Sequence, residues 1–376
     1  MKIAFINPIL FTANDSRRIP DITSIKDCMI YDLCCAFKEM GHEVTLVAAE
    51  DYSPRIPEEY DFKVLFFKSR FKKLFLPDVL PCPSGFYSYL KENRARFDIV
   101  ITSEVFSLYS LCAALACPRK TVIWNELNRH NHLSFKLPSL TWYNIVVPLF
   151  YRKIRRVVGR SDSARAFMAR FLPQTSPIVV DHGINLNKFN HVSREKKDQF
   201  IVAAQLVKRK NIDRIITHFS KFLKFPNCSG YKLLIAGRGV LENELKDQVK
   251  ALGIESSVVF LGFVGRDQLN RFIAESKASL IDSTKEMNIL AIPEDIVSGT
   301  PVLTNTSPAI APFVGANNLG IAKETWDETD LLKIVENNRL YVDNCIAMRP
   351  AFSTTRCAQS LIDAFDAREI PAHPKT

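Results

Sequence analysis

The stretch KEMNILAIPEDIVSGTPVLTN, residues 285–305, sets two glutamates, Glu286 and Glu294, with seven residues between them, ahead of Gly299-Thr300-Pro301 and a β-branched run. Just upstream, KASLIDS (277–283) has the short apolar pattern of a buried strand. Glu286 therefore falls past a strand's carboxyl end, and Glu294 inside the helix that follows. Ligands of open parallel sheets bind beyond those ends. A helix start carries unpaired N–H groups and a partial positive charge, and Pro293 suits a first turn. Such a start favours phosphate, and a carboxylate beside it can accept hydrogen bonds from sugar hydroxyls. The pair points to a nucleotide carrying a sugar.

Further out, strands and helices alternate along the whole chain. KIAFINPI (2–9) reads as a buried strand, and SIKDCMIYDLCCAFKEMGHEVTLVAAE (24–50) as helix, stop and strand. Ser24 and Asp27 have the spacing of a capping box, and Gly41 suits the left-handed residue after the helix. FDIVITSE (97–104) and KTVIWNE (120–126) are further strands around the helical SLYSLCAALA (107–116). The pattern restarts with QFIVAAQLV (199–207). Ile212, Ile215, Ile216, Phe219, Phe222 and Leu223 then share one helix face. YKLLIAG (231–237), LENELKDQVKALG (241–253), SVVFLGF (257–263) and DQLNRFIAES (267–276) continue the alternation. This predicts an α/β chain of two Rossmann-like, doubly wound domains facing across a cleft. Domains are expected at 1–183 and 184–350, joined through the turn-rich DHGINLNKFN (181–190), with a terminal helix over 351–376 crossing back to the first.

Length and composition agree with two cores: 376 residues, 47% hydrophobic and 24% charged. MKIAFINPILFTAND (1–15) resembles a signal peptide, but Pro8 interrupts it and no small-x-small site follows, so a buried strand is expected. Nine cysteines without a C-x-x-C pair argue for reduced thiols in a cytoplasmic protein. His130 and His132 have no ligand-spaced companions and read as a solvated loop, so no metal site is expected. The net charge of +10 is concentrated in residues 1–190, where 26 Lys and Arg face 18 Asp and Glu, a balance of +8. FKSRFKKLFLP (67–77) and LFYRKIRRVVGR (149–160) mix bulky apolar residues with cations, as do elements that rest on anionic membrane surfaces. No nucleic-acid motif is present, and charge alone is generic.

In order and spacing the chain resembles the GT-B glycosyltransferases, specifically the large retaining family numbered four (glycosyl transferases group 1). The opening stretch is similar to that family's Glu–seven residues–Glu motif with its Gly-Thr-Pro-Val sequel. DHGINLNKF (181–189) resembles its interdomain segment, and IVAAQLVKRKNIDRII (201–216) its strand and cationic turn. LLIAGRGVLENELKDQVKALGIESSVVFLGFV (233–264) is similar to its next βαβ unit, and FSTTRCAQSLIDAF (352–365) to its terminal helix. The resemblance implies that Glu294 holds the donor ribose and Glu286 the hydroxyls of the transferred sugar. It also implies Lys210, with Gln205 and Arg209 beside it, at the diphosphate, and Phe263 and Val264 at the base. Asn288, Ile289 and Leu290 would line the donor, while Asn125, Glu126, Arg17 and Arg18 would lie on the acceptor side. Transfer would retain anomeric configuration without a metal or other cofactor, the departing phosphate oxygen taking the acceptor proton. The donor would be a nucleotide-diphosphate sugar. The acceptor would be a glycan or lipid-linked glycan of bacterial surface polysaccharide or lipopolysaccharide, met at the cytoplasmic face of the membrane.

The chain departs from the family pattern at several points. Gln205 stands where the family places an arginine, and Met287 and Ile289 replace glycines after the first glutamate. NDSRRIPDITS (14–24) replaces the glycine-rich loop after the first strand, with Arg17, Arg18, Thr23 and Ser24 as substitutes. Asn125 or Glu126 takes the place of a histidine. Two other readings stay open: a nucleotide-sugar epimerase of the same fold, and a catalytically weakened nucleotide-sugar-binding partner of another transferase. The lack of G-x-G-x-x-G after a predicted strand argues against a dinucleotide oxidoreductase.

Overall fold

A computed structural model of the chain describes residues 1–11, 19, 21–130, 136–284 and 289–367. They form two compact units, residues 1–183 with the helix that begins at Thr354, and residues 184–353.

The first unit is built on a seven-stranded parallel sheet. Its strands are β1 (Lys2–Ile6), β2 (Glu43–Ala49), β3 (Lys63–Phe67), β4 (Ile99–Ser103), β5 (Thr121–Asn125), β6 (Arg156–Gly159) and β7 (Thr175–Val179), in the order β3-β2-β1-β4-β5-β6-β7. The central strands are buried on both faces, which is why they read as unbroken apolar runs rather than alternations. The helix Met29–Glu39 packs Leu33, Cys34 and Phe37 into the same core, and Gly41 ends it at φ +84°. Its cap differs from the sequence expectation. Cys28 is the N-cap residue, its sulfur accepting from the Tyr31 amide at 3.4 Å, while the Ser24 hydroxyl donates to Glu58 at 2.7 Å. The chain turns once more after Ser24, so the helix begins too late for the Ser24–Asp27 pair to cap it.

The terminal helix Thr354–Asp366 lies on this unit. Arg155 donates to the Phe365 carbonyl at 2.8 Å, and Arg156 to those of Ala364 and Ala367 at 3.3 and 3.0 Å. Cations at a helix carboxyl end satisfy its orphan carbonyls and oppose its dipole. Part of the basic run 149–160 is therefore internal cement rather than free surface charge.

The second unit repeats the plan with β8 (Lys197–Ala203), β9 (Lys232–Ala236), β10 (Val258–Gly262), β11 (Ser276–Ile281), β12 (Val302–Thr304) and β13 (Gly320–Ala322). The parallel order is β10-β9-β8-β11-β12-β13, the same winding as the first unit. The helix Ile212–Phe222 buries Ile212, Ile215, Ile216, Phe219 and Phe222 against it. In the stretch 285–305, Gly299 takes φ +71° and Thr300 turns inward, its hydroxyl donating to the Ile273 carbonyl at 2.7 Å and its amide to that of Asp295 at 2.9 Å. Gly-Thr is thus the hinge by which the helix Ala291–Val297 turns back into β12.

Loops at the carboxyl edge of this sheet run backbone against backbone. Ala204 N donates to Ala236 O at 3.0 Å, Leu206 N to Arg238 O at 3.0 Å, and Gly237 N to Gly262 O at 2.8 Å. Gly237 sits at φ +146°, and a β-carbon there would lie 1.9 Å from the Ala204 carbonyl oxygen. Gly237→Ala is expected to cost roughly 1–3 kcal/mol through strain and displaced backbone, read as a lower urea midpoint with an unchanged slope. A wild-type midpoint would show that the two loops separate freely.

Candidate functional site

The second unit gathers one cluster at its carboxyl edge. After β8 the chain makes a single 3-10 turn, Lys208–Lys210, closed by Asn211 at φ +44°. Three consecutive cations occupy it, with Lys208 and Arg209 exposed and Lys210 half-buried. The turn is clipped to the loop after β11, because the Thr284 amide donates to the Arg209 carbonyl at 2.9 Å. That loop is itself held from below. Asn305 donates to Asp282 at 2.9 Å and to the Ser283 carbonyl at 2.8 Å, and Arg214 pairs with the buried Asp282 at 3.3 Å. Residues 285–288 follow directly. Glu286 and Asn288 lie outside the described residues.

Glu294 is the fourth residue of the helix Ala291–Val297, which Leu290 enters without a side-chain cap. Burial pushes the Glu294 carboxyl up to about 7, with the Arg266 cation pulling the other way. Arg266 opens the next-door helix Arg266–Glu275, two residues after Val264. Phe263 projects from that loop with 79% of its surface exposed, a free ring face, and Val264 is half-buried behind it. Ile289 is half-buried among the apolar residues of this unit, and Leu290 is exposed. Gln205 is exposed as well. Cationic turn, carboxyl-bearing helix and aromatic loop thus all stand at the carboxyl edge of one sheet.

Asp295, adjacent to Glu294, turns the opposite way. It is fully buried, and burial raises its carboxyl well above the usual range. Lys196 lies on the same side, its ammonium donating to Ala274 O at 2.6 Å and Thr300 Oγ1 at 3.1 Å, with burial lowering it to about 7. These two buried ionisable groups were not legible in the sequence, where Lys196 is one of several charges in SREKKD (193–198).

The first unit carries a separate polar cluster at the ends of β4, β5 and β6. Glu104 follows β4 at φ +66°, and its carboxylate accepts from the Glu126 and Leu127 amides at 2.8 and 3.2 Å. Burial lifts Glu104 to about 7; Arg160 opposes the shift and Glu126 adds to it. Arg160, after β6, stacks its guanidinium 3.8 Å from the Trp124 ring centroid. Its Nη1 lies 3.1 Å from Glu126 Oε2 and 3.1 Å from His182 Nε2. His182 Nδ1 lies 3.0 Å from Asp181, so an imidazole protonated at Nδ1 satisfies both contacts. Glu126 reaches solvent with 32% of its side chain exposed, about as much as Asp181 at 30%.

Asn125 does not share that role. It is fully buried, its amide accepting from Val105 N at 3.0 Å and donating to Leu127 O at 2.8 Å. Arg17 and Arg18 lie outside the described residues. His130 is not a solvated loop residue: it packs edge-on to Tyr143, Phe167 and Phe171 at 5.2–5.9 Å. His132 lies outside the described residues. Among the described residues no group of three or more His, Cys, Asp or Glu is placed to hold a metal ion. Sequence reasoning missed Glu104, Arg160 and His182, although Glu104 and Arg160 each immediately follow a strand, the position that the parallel-sheet rule marks.

Comparison with known proteins bears on both units. Residues 29–188 match the model described as Glycosyltransferase Family 4, and residues 184–337 that described as Glycosyl transferases group 1. The O-antigen biosynthesis glycosyltransferase WclY of Escherichia coli is 28% identical over 276 residues, covering 68% of this chain and 74% of that protein. The alpha-monoglucosyldiacylglycerol synthase of Streptococcus pneumoniae is 24% identical over 198 residues, 49% of this chain. The match spans 44% of that synthase's length. Among solved structures, Anabaena HepE in complex with UDP superposes with a TM-score of 0.63 at 15% identity, over 96% of this chain and 99% of that one. The lipopolysaccharide outer core galactosyltransferase WaaB gives 0.63 at 16% identity, over 97% and 99%.

Ribose hydroxyls donate to an ionised carboxylate, so a nucleotide held by Glu294 would bind with loss of the proton that burial keeps there. Affinity for the tightest-binding nucleoside diphosphate is then expected to rise through pH 7, roughly tenfold between about pH 6 and about pH 8 beyond the nucleotide's own titration. Glu294→Gln should lose that excess slope, as calorimetry across the range would show. Equal slopes in both proteins would mean that Glu294 does not face the ligand.

Proposed function

Because the chain belongs to the group 1 glycosyltransferases of GT-B fold, we propose that it moves a sugar from a nucleoside-diphosphate donor to a glycan or lipid-linked glycan acceptor, with retention of configuration. The observation that carries this reading is the clip between Arg209 and Thr284. It sets a turn of three cations against the loop that runs on into Glu286, at the same sheet edge as Glu294. Departure of a nucleoside diphosphate leaves negative charge on phosphate, and fixed cations stabilise it without reorganising. Lys210 and Arg209 supply that charge, while Glu294 accepts from the ribose and Glu286 from the transferred sugar. The departing phosphate oxygen takes the acceptor proton, so neither a metal ion nor a separate base is required. HepE was solved with UDP bound, which favours a uridine nucleotide as the first donor to try. Phe263 offers the base a face to stack on.

Acceptors of surface-polysaccharide type fit the relatedness to WclY, whose name places it in O-antigen biosynthesis. The lipid product in the name of the pneumococcal synthase favours an acceptor borne on a membrane. Glu126, held by Arg160, is the acceptor-side carboxylate in this reading. No described helix is long and apolar enough to cross a membrane. The proposal therefore has the protein meet its acceptor as a peripheral enzyme on the inner, cytoplasmic face of an anionic bilayer.

A thermal-shift and donor-hydrolysis screen against nucleotide sugars tests the function without an acceptor, since a ligand that binds only the folded state raises its apparent stability. The two glutamates are expected to separate. Glu294→Ala should weaken free nucleotide about tenfold to a hundredfold, in keeping with ~1.5–3 kcal/mol for hydrogen bonds to a charged group. Glu286→Ala should spare nucleotide affinity and depress transfer. Equal loss of nucleotide affinity in both variants would refute the division of roles.

Lys210→Ala is expected to reduce turnover by several orders of magnitude. Gln205→Arg should leave turnover unchanged or lower it, because three cations already fill the turn. A large gain from Gln205→Arg would instead show an impaired natural site and favour a weakened nucleotide-sugar-binding partner over an active transferase.

A further inference from the structure

Residues 136–150 form one continuous helical rod: Lys136–Thr141 in α geometry, Trp142–Val146 as a π-helical turn, and Val147–Phe150 in α geometry again. Its inner side is fully engaged. Ser139, Trp142, Tyr143 and Val147 are buried, and Trp142 Nε1 donates to the Val105 carbonyl at 2.9 Å. The wider π turn is what lets both adjacent aromatics, Trp142 and Tyr143, face inward. The outer side carries no charge between Lys136 and Arg152, where a surface helix ordinarily does: large apolar side chains stand there with exposed Thr141 and Asn144, whose polar groups turn back onto the rod's own carbonyls. Leu137, Ile145, Leu149 and Phe150 are 73, 54, 66 and 43% exposed, along a rod of about 22 Å at the usual helical rise.

Cations bracket this row. Lys136 stands at one end and Arg152 and Lys153 at the other, all exposed. From Leu127 to Ser161 the sequence holds seven Lys and Arg and no Asp or Glu. A second exposed apolar pair, Phe71 and Leu74 at 68 and 71%, lies in the turn with exposed Lys68, Arg70 and Lys73. Phe75 of that turn packs onto the same apolar cluster as Trp142 and Tyr143. Lys72 is spent internally on Asp51 at 2.6 Å.

We infer that the rod 136–150 lies in the surface of an anionic phospholipid bilayer, Leu137, Ile145, Leu149 and Phe150 entering the acyl boundary while Lys136, Arg152 and Lys153 meet lipid phosphates. An apolar row framed by unpaired-sign charge is the pattern of interfacial helices, whose binding adds buried apolar area to electrostatic attraction. A protein partner on this row would need acidic groups to answer the cations at both ends; a bilayer supplies them everywhere along the rod. The inference deepens the membrane part of the proposal above, and rests on it for the partner being lipid. It differs in placing the anchor on this rod, with the arginines of 149–160 that cement the terminal helix left out.

The test is sedimentation of the full chain with phosphatidylcholine vesicles, with and without phosphatidylglycerol. Wild-type protein is expected to pellet with phosphatidylglycerol only, and to be released by salt as exposed charges are screened. The Ile145→Ser, Leu149→Ser, Phe150→Ser variant and the Arg152→Ser, Lys153→Ser variant should each partition at least tenfold less, with wild-type unfolding temperature and nucleotide affinity. Single Leu149→Ser, expected to fall by a smaller step, serves if the triple variant is unstable. Wild-type protein that ignores both vesicle types overturns this inference and the membrane reading together. Wild-type and triple-variant protein pelleting alike overturns the rod as anchor and leaves a membrane-facing enzyme standing. A wild-type dimer by light scattering that the triple variant breaks would make the occupant a second copy of the chain.

Discussion

Every candidate donor contact depends on how closely bare backbone can approach backbone at the carboxyl edge of the second sheet. The loops after β8, β9 and β10 are joined by main-chain hydrogen bonds at Ala204, Leu206 and Gly237. Gly237 and Gly239 have no room for a β-carbon against the Ala204 and Leu206 carbonyls. A loop fixed this way starts the cationic turn 208–210 at a defined place, and the Arg209–Thr284 bond then carries that position across to the loop after β11. Side chains alone would not hold three like charges together, since a pair at 4 Å repels by about 4 kcal/mol at an effective dielectric of 20, before solvation. The backbone lattice holds them, and an incoming polyphosphate would relieve the repulsion.

The two units use burial for the same end with different fittings. Glu294 and Glu104 are both raised to about 7 by desolvation, each with an arginine opposing the shift. Glu294 has no backbone amides clamped on its carboxylate among the described contacts, and a ligand's hydroxyls can complete it. Glu104 already accepts from two amides, one on each carboxylate oxygen. Its left-handed backbone costs of order 1 kcal/mol or more. What that strain secures is the turn at Glu126 and Leu127, which aims the Glu126 carboxylate at Arg160. Glu104 is thus a support, and Glu126 the group it presents.

The doubly wound architecture was legible because parallel strands buried on both faces leave unbroken apolar runs, and KASLIDS or FDIVITSE can hardly be read otherwise. The glutamate spacing and Gly-Thr-Pro were legible for a related reason. A helix that must turn straight back into a strand needs a left-handed residue, and Gly299 supplies it. Elsewhere local spacing misled. Ser24 and Asp27 satisfy a capping pattern, yet Glu58, thirty-four residues on, takes the Ser24 hydroxyl. Asn125 sat at a site-like position beside Glu126, but the strand's alternation points it inward, where it tethers two backbone groups. Arg155 and Arg156 looked like surface charge because the helix they cap lies about two hundred residues away in sequence. Partners this remote leave no local signature, and buried ionisable groups such as Lys196 and Asp295 leave none either.

Gln205 is the clearest departure from the family pattern, and the structure gives it a physical context. Its side chain is exposed on the outward part of the loop, before the 3-10 turn begins. An arginine there would reach a phosphate along a flexible side chain and lose rotamer freedom on binding. Arg209 and Lys210 instead belong to a turn closed by its own hydrogen bonds, Lys210 N to Val207 O at 3.0 Å and Asn211 N to Lys208 O at 3.1 Å. The turn fixes where these two side chains start, although Arg209 and Lys210 lose rotamer freedom on binding as an arginine at 205 would. Cations rooted in a fixed turn would thus supply a field at a defined place without an arginine at 205, provided the turn holds its position. Asn211 at φ +44° and the Thr284 bond meet that condition, one at the end of the turn and one at its middle.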